Sequence, residues 1–124
     1  DIMEACRLAD RIALMRGGKI IQLGTPAEIL LSPVDDYVAD FTAEVALSRA
    51  IRVRDLARSG RDAAVDGTPV SGAAPIEVVL PALAAGQRRF RVEGNEGLVL
   101  EADAVLEVLR RDARHGLMTK RARV

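Results

Sequence analysis

Short apolar runs separated by glycine characterise the first part of the chain. Residues 12–15 and 20–23 form two such runs, and Gly17-Gly18 lies between them. Two short strands joined by a glycine turn form a β-hairpin. The residues before the hairpin, 2–9, have the pattern of a helix end. The chain is therefore expected to begin with a helix followed by a two-stranded hairpin.

Helix-start signals come directly after the hairpin. Thr25 can cap a helix, Pro26 suits the first turn, and Glu28 three residues later completes a capping box. Ser32-Pro33 stops this helix soon afterwards. The sequence therefore predicts one short helix at this point.

An apolar stripe predicts a second helix, which begins near residues 35–36. Its members recur at helical spacing and are Tyr37, Val38, Phe41 and Val45. The pattern allows this helix to run on through Leu47 and Ile51 to Leu56. Residues 59–74 are rich in Gly, Ala, Asp and Ser, and are predicted to form a loop with one short strand at most.

The second half of the chain has the pattern helix, strand, strand, helix. A helical face is formed by Ile76, Val79, Leu80 and Leu83. Pro81 lies inside this stretch and either kinks the helix or moves its start. Residues 89–92 alternate as in a half-exposed strand, residues 93–97 form a turn, and residues 98–100 form a buried strand.

The last predicted helix covers residues 104–111 and is followed by residues expected to fray. Together the elements predict an α+β fold: a small N-terminal β-hairpin with helices, then a helix-strand-strand-helix unit. The predicted segments are 1–44, a helical linker and loop at 45–74, the unit at 75–111, and a basic flexible tail at 112–124.

Composition narrows the classes of function. Hydrophobic residues are 49% of the chain, aromatic residues 2%, and the formal net charge is zero. Without a global positive field, nucleic-acid binding is not expected. Cys6 and His115 are the single cysteine and histidine, so no metal-site spacing exists. No apolar run approaches the ~20 residues that span a bilayer, and no signal peptide is predicted.

The first 28 residues resemble the closing part of an ABC transporter ATP-binding subunit. The pattern is D-x-x-E-A-x-x-x-x-D-R-I-x-x-M-x-x-G-x-I-x-Q-x-G-T-P-x-E, from Asp1 to Glu28. The resemblance implies that Asp1 directly follows the histidine that senses the ATP γ-phosphate, and that the complete subunit binds ATP and Mg²⁺. Asp10-Arg11 is interpreted as a structural ion pair.

The sequence lacks the motifs that hydrolyse ATP. Gly17-Gly18-Lys19 has neither the spacing nor the following Ser or Thr of a phosphate-binding loop, G-x-x-x-x-G-K-[ST]. No LSGGQ-type signature and no acidic strand end are present. This chain alone is therefore expected to be no enzyme and to use no cofactor, with no catalytic or metal-binding residue.

Residues 75–111 resemble a cystathionine-β-synthase-type (CBS) module. The last seven residues of the motif, Gly97 to Asp103, match the family pattern G-x-h-[TS]-x-x-D, where h is apolar. The resemblance implies a ribose contact for Asp103 and a phosphate-binding hydroxyl at the position of Leu100. Leucine cannot donate a hydrogen bond, so capping of the last helix is the favoured role of Asp103.

The combination of these two segments in one chain resembles the quaternary-amine uptake family, which imports glycine betaine, proline betaine or choline. They imply a cytoplasmic subunit, peripheral to the inner membrane, which works with membrane-spanning permease subunits and a second ATP-binding subunit. The CBS region of that family adjusts activity to ionic strength. Sulfate, polyamine and sugar importers share the N-terminal pattern and remain alternatives, as does a free-standing CBS-like module that senses a ligand or ionic strength.

Two further intermolecular contacts are predicted, one with a second copy of the chain and one with a membrane surface. A lone CBS-like unit leaves an apolar face, and symmetric pairing predicts a homodimer centred on Val79, Leu83, Val99 and Leu106. The tail carries a basic cluster that could bind an anionic membrane surface. Its members are Arg110, Arg111, Arg114, Lys120, Arg121 and Arg123.

Overall fold

A computed structural model describes residues 1–60 and 67–122, and of residues 96 and 114–122 it describes the backbone alone. The first half begins with helix α1 (Ile2–Leu8). Strands β1 (Ile12–Arg16) and β2 (Lys19–Gly24) then form an antiparallel hairpin. Gly17 and Gly18 both have positive φ, 57° and 78°, as the tight turn requires. The predicted hairpin and its glycine turn are confirmed.

Local capping signals place the next two helices. Helix α2 (Pro26–Leu31) has the complete capping box of Thr25 and Glu28. Helix α3 (Asp36–Phe41) is capped by Asp35, whose carboxylate accepts the Val38 N–H at 2.9 Å. Both predicted helix starts are confirmed, because each signal lies within four residues of the helix that it begins.

The second helix is shorter than its apolar stripe allows. Helix α3 ends at Phe41, and two single-turn helices follow, α4 (Leu47–Ala50) and α5 (Val53–Leu56). The hydroxyl of Thr42 donates to the Val38 carbonyl at 2.9 Å, and the chain turns after this point. The continuation to Leu56 is therefore wrong. Phe41 is also half exposed, while its ring stacks against Tyr37.

The second half follows the predicted order of elements. A 3₁₀ helix (Ile76–Val79) leads into helix α6 (Leu80–Ala84), and Pro81 lies in the first turn of α6. Strands β4 (Arg89–Val92) and β5 (Asn95–Glu101) pair antiparallel. The short strand β3 (Arg58–Ser59) pairs with the other edge of β5, so the sheet order is β3-β5-β4. Residues 61–66 of the predicted loop lie outside the described residues.

The last helix differs from its prediction at both ends. Helix α7 (Ala102–Ala122) begins two residues earlier than expected and continues through most of the segment expected to fray. Asp103 consequently lies inside the first turn of α7 rather than at its cap. Its predicted capping role is wrong, because strand β5 passes into the helix without an intervening loop.

One apolar core joins the two halves of the chain. Its buried members are Ala27, Leu47, Ile51, Val53, Ile76, Val79, Phe90, Val92, Leu100, Val105 and Val108. A second cluster packs α1, the hairpin, α2 and α3 together around Cys6, Ile12, Leu14, Ile29, Val38, Val45 and Ala50. Helix α4 packs against α7 and the 3₁₀ helix, and α5 packs against β5 of the second sheet. The mixed helix and strand architecture confirms the predicted α+β fold class.

The predicted homodimer centre contains residues that a single chain already buries. Val79 is 1% exposed and Val99 is 3% exposed within a single chain. Placing these two residues at the centre of an interface between copies was wrong, because Val79 belongs to the shared core and Val99 lies on the middle strand of the sheet, between β3 and β4. Leu83 and Leu106 are half-buried. Among the described residues, no helix combines the length and hydropathy needed to cross a membrane.

A carboxylate far along the chain fixes the start of α4. Asp112 Oδ1 accepts the Leu47 N–H at 2.9 Å, and its Oδ2 accepts the Ser48 N–H at 3.2 Å. These two donors would otherwise be unsatisfied at the N-terminus of a helix that has no local side-chain cap. Asp112 therefore ties α7 to α4.

Replacing Asp112 by Ala is expected to lower the free energy of unfolding by about 1–2 kcal/mol, since both N–H groups lose their acceptor. Urea denaturation followed by circular dichroism measures this loss. Asp103→Ala is the control, because Asp103 is on the same helix but its contact is an exposed ion pair worth at most about 1 kcal/mol. Equal losses in the two variants would contradict the capping role of Asp112.

Candidate functional site

Asp1, which the family resemblance predicts to follow a nucleotide-sensing histidine, is an exposed helix cap. Its Oδ1 accepts the Met3 N–H at 2.8 Å, and its carbonyl accepts the Ala5 N–H at 3.1 Å. A carboxylate at this position also interacts favourably with the helix dipole. The geometry of Asp1 therefore accounts for the start of α1.

The ion pair predicted next to the hairpin has a different partner. Asp10 lies 3.9 Å from the guanidinium of Arg54, a residue of α5. The expected pairing of Asp10 with Arg11 is therefore wrong. Arg54 reaches Asp10 because α5 lies close to the bend that follows α1.

Asp103, the proposed ribose contact, is engaged with an arginine. Its Oδ1 accepts from Arg88 at 2.7 Å, and the Asp103 side chain is 85% exposed. Beside it, Arg89 pairs with Glu101 at 3.0 Å across the two strands. The carboxylate of Asp103 thus lies on the surface, in a row of alternating charges at the junction of β5 and α7.

Leu100, the position at which a hydroxyl would hold phosphate, is buried. Its side chain is fully inaccessible and belongs to the core that joins the two halves. Asp103 and position 100 therefore face different surroundings, one solvent and the other the apolar interior. The structure does not bring these two sequence-predicted positions together as a polar nucleotide site.

The residues present do not fit an ATP–Mg²⁺ site. The glycine pair at 17–18 forms the hairpin turn between β1 and β2, rather than a loop that opens a helix N-terminus. Among the side chains that the structure describes, no three His, Cys, Asp or Glu residues cluster in a way that could hold a metal ion.

The first basic residues of the predicted tail have structural partners. Arg111 donates to the Leu31 carbonyl at 3.0 Å, at the end of α2, and Arg110 pairs with Glu107 at 3.4 Å. These two arginines therefore precede the predicted flexible segment 112–124, whose flexibility stays a prediction. Arg114, Lys120 and Arg121 lie on α7, and Arg123 lies outside the described residues.

The single cysteine, Cys6, lies on the buried face of α1. Cys6 is 1% exposed, and burial raises the pKa of its thiol. A higher pKa lowers the thiolate fraction near neutral pH, so Cys6 is suited to packing rather than to nucleophilic chemistry.

Comparisons with known proteins find similarity to ATP-binding proteins of transport systems. The chain is 42% identical over 72 residues to the glycine betaine/proline betaine transport system ATP-binding protein of Escherichia coli, covering 58% of this chain and 18% of that protein. It is 36% identical over 102 residues to the trimethylamine N-oxide transport system ATP-binding protein of Ruegeria pomeroyi, covering 82% and 29%. It is 44% identical over 71 residues to a sulfate/thiosulfate import ATP-binding protein of Chromobacterium violaceum, covering 57% and 18%.

These matches cover more than half of this chain but less than a third of each relative. A match of 102 residues in a chain of 124 must include residues 23–102, so the similarity reaches into the second sheet. The chain spans less than a third of the length of each of these three relatives. No family model matches the chain, and no solved structure matches it.

These findings confirm part of what the first 28 residues indicated. The relatives are ATP-binding subunits of importers, and they include systems for glycine betaine and trimethylamine N-oxide. The resemblance of residues 75–111 to a CBS module stays a prediction. The chain is similar over most of its length to one section of such ATP-binding subunits.

Proposed function

We propose that this chain is the C-terminal structural and regulatory portion of the ATP-binding subunit of an importer for glycine betaine-type osmoprotectants. The observation that carries the proposal is the match that extends over residues 23–102 to the subunit of a trimethylamine N-oxide system. Glycine betaine and trimethylamine N-oxide both carry a fully methylated nitrogen, so the similar systems handle related solutes. In the complete subunit, ATP and Mg²⁺ would be held by residues that this chain does not contain.

The shared core supports a regulatory role. Ile51 connects α4 to α5, and its carbonyl accepts the Ile76 N–H at 2.9 Å. Arg52, the next residue, donates to the Arg7 carbonyl at 2.7 Å, at the end of α1. A displacement of the second sheet would therefore be transmitted to α1, the segment that follows the proposed switch histidine. This mechanical continuity is what a region that adjusts ATP hydrolysis requires.

The proposed partners follow from the proposed subunit. They are the membrane-spanning permease subunits and a second ATP-binding subunit, at the cytoplasmic face of the inner membrane. Pairing of two copies through residues 75–111 would use the outer face of α6 and α7, where Leu83 and Leu106 are half-buried. Contact with an anionic membrane surface would use the distal basic residues of α7.

The isolated chain is expected to hydrolyse no Mg-ATP above the buffer blank. The physical reason is the missing phosphate-binding loop, signature and acidic strand end, without which neither phosphate charge nor the attacking water is positioned. A coupled phosphate-release assay at saturating ATP measures this. Turnover that saturates with ATP and survives repurification would contradict the prediction.

Solute uptake separates the proposed cargo from its alternative. The similarity to a sulfate/thiosulfate import protein favours sulfate as the second candidate cargo. Cells that lack the complete gene should lose uptake of labelled glycine betaine at high osmolarity and keep uptake of labelled sulfate. The reverse result would replace the osmoprotectant with sulfate. Loss of neither would favour the free-standing sensing module.

A further inference from the structure

A cleft of about 290 Å³ lies where the end of α1, the α4–α5 segment and residues 73–77 meet. Three arginines line it, one from α1 and two from the α4–α5 segment, together with one carboxylate and four small or apolar residues. The charged members are Arg7, Arg49, Arg52 and Glu77, and the floor is formed by Cys6, Ala50, Ala73 and Pro75. The formal charge of this lining is therefore positive.

The carboxylate neutralises one side of the cleft. Glu77 lies 3.6 Å from the guanidinium Nε of Arg49. Within the described part of the chain, the guanidinium groups of Arg7 and Arg52 have no carboxylate partner. Two positive charges thus remain at the α1 side of the cleft. Their mutual repulsion would be relieved by an anion placed between them.

The guanidinium of Arg52 is held in a fixed orientation. Its Nη2 donates to the Arg7 carbonyl at 2.7 Å. The backbone of Arg52 is also fixed, because its N–H donates to Asp55 and it forms a β-bridge with Pro75. A pre-oriented guanidinium loses little conformational entropy when it binds, and its planar fork matches the oxygen geometry of phosphate.

We propose that this cleft binds a phosphate group, carried by a free anion or by a lipid headgroup, between Arg7 and Arg52. Arg49 contributes a third guanidinium to the lining, and its pairing with Glu77 moderates its charge. The apolar floor excludes water from one side of the phosphate and strengthens the charge-assisted hydrogen bonds. This site lies apart from Asp103 and from the glycine turn at 17–18, and it does not depend on the function proposed for the complete subunit.

Titration of the 124-residue chain with inorganic phosphate tests the proposal, with chloride at matched ionic strength as the reference. Backbone amide shifts by NMR should change saturably at residues 6–7, 49–52 and 73–77. Arg7→Gln should weaken phosphate binding by about tenfold, the cost of losing a hydrogen bond to a charged group. Glu77→Gln should strengthen binding, because it removes the opposing carboxylate.

Arg58→Gln is the matched control, since Arg58 is an exposed arginine on β3 outside the cleft. It should leave phosphate affinity within about twofold, because charges beyond a Debye length of about 8 Å are largely screened. Equal weakening by Arg7→Gln and Arg58→Gln, or shifts that never saturate, would overturn the site. The Arg7 side chain is exposed and forms no hydrogen bond or ion pair with the described residues, so its replacement should leave the fold intact.

A second arm distinguishes the two sources of the phosphate group. Vesicles of phosphatidylglycerol are co-sedimented with the chain and with both variants. Vesicle binding that Arg7→Gln weakens and Arg58→Gln does not assigns the cleft to a lipid headgroup, whereas saturable binding of inorganic phosphate alone assigns it to a free anion. Vesicle binding that both variants share equally, without saturable phosphate binding, would overturn the proposal and point to the basic end of α7.

Discussion

Replacing Ile51 by Ala should lower the free energy of unfolding by about 2–5 kcal/mol, the cost of removing a large buried side chain and leaving a cavity. Ile51 is fully buried, and it lies in the core that joins α2, α4 and α5 to the second sheet and α7. The loss should affect both halves of the chain, because no separate core holds residues 75–111. Thermal or urea denaturation measures it.

The two halves can be followed by independent signals in that experiment. Tyr37 is the single tyrosine of a chain without tryptophan, and it lies in the first half. Far-ultraviolet circular dichroism includes the signal of α7, the longest helix among the described residues. We expect the two signals to change together in the wild type and in Ile51→Ala. Val78→Ala, at a side chain that is 47% exposed, should change stability by less than about 0.5 kcal/mol. Separate transitions would show that the halves fold independently.

Restoring a hydroxyl at position 100 should destabilise the chain rather than create a nucleotide site. In Leu100→Thr, a fully buried apolar side chain is shortened and a hydroxyl enters the core without a partner. We expect a loss of about 3 kcal/mol, from the removed packing together with the buried polar group. Equilibrium dialysis with labelled AMP should show no gain in binding at concentrations where the variant is folded.

Leu98→Thr provides the control for this substitution. Leu98 lies on the same strand but is half-buried, so its loss should be near the ordinary value of about 1 kcal/mol. A Leu100→Thr protein that keeps its stability and binds AMP in a manner that Asp103→Ala abolishes would contradict this account. Such a result would assign residues 97–103 to a nucleotide site of the CBS type.

Elements with local signals could be predicted from the sequence. The capping box at Thr25 and Glu28, the Asp35 cap and the glycine turn of the hairpin each depend on residues within four positions of one another. The strand pair of the second sheet was likewise predicted from its alternation. In each case short-range physical chemistry decides the structure, so a single sequence contains the necessary information.

Elements that depend on distant contacts could not be predicted. Helix α4 is one turn long and is capped by Asp112, which lies 65 positions away. The choice of Arg54 over Arg11 as the partner of Asp10 depends on how α5 packs beside α1. The burial of Val79 was predictable, but the residues that cover it were not. Val79 packs in one core with Leu47 of α4 and Val53 of α5, where a second copy was expected to provide the apolar contact.

The candidate sites also differ in whether the sequence could predict them. The sequence identified Asp1 and Asp103 through family resemblance, and the structure places both at the surface, at α1 and α7, with a local backbone partner and an arginine partner respectively. The arginine-lined cleft had no sequence signal, because Arg7 lies 45 positions before Arg52 and reaches Arg49 and Arg52 only after folding. The cleft exists only where α1 packs against α4.

Sequencing the DNA upstream of the codon for Asp1 tests most directly whether this chain is the C-terminal part of an ATP-binding subunit. We predict a continuous reading frame with a histidine codon immediately before Asp1. Further upstream it should encode an acidic strand end, an LSGGQ-type signature and a G-x-x-x-x-G-K-[ST] loop. A start codon directly before Asp1, with none of these motifs in frame, would contradict the proposed subunit and favour a free-standing module.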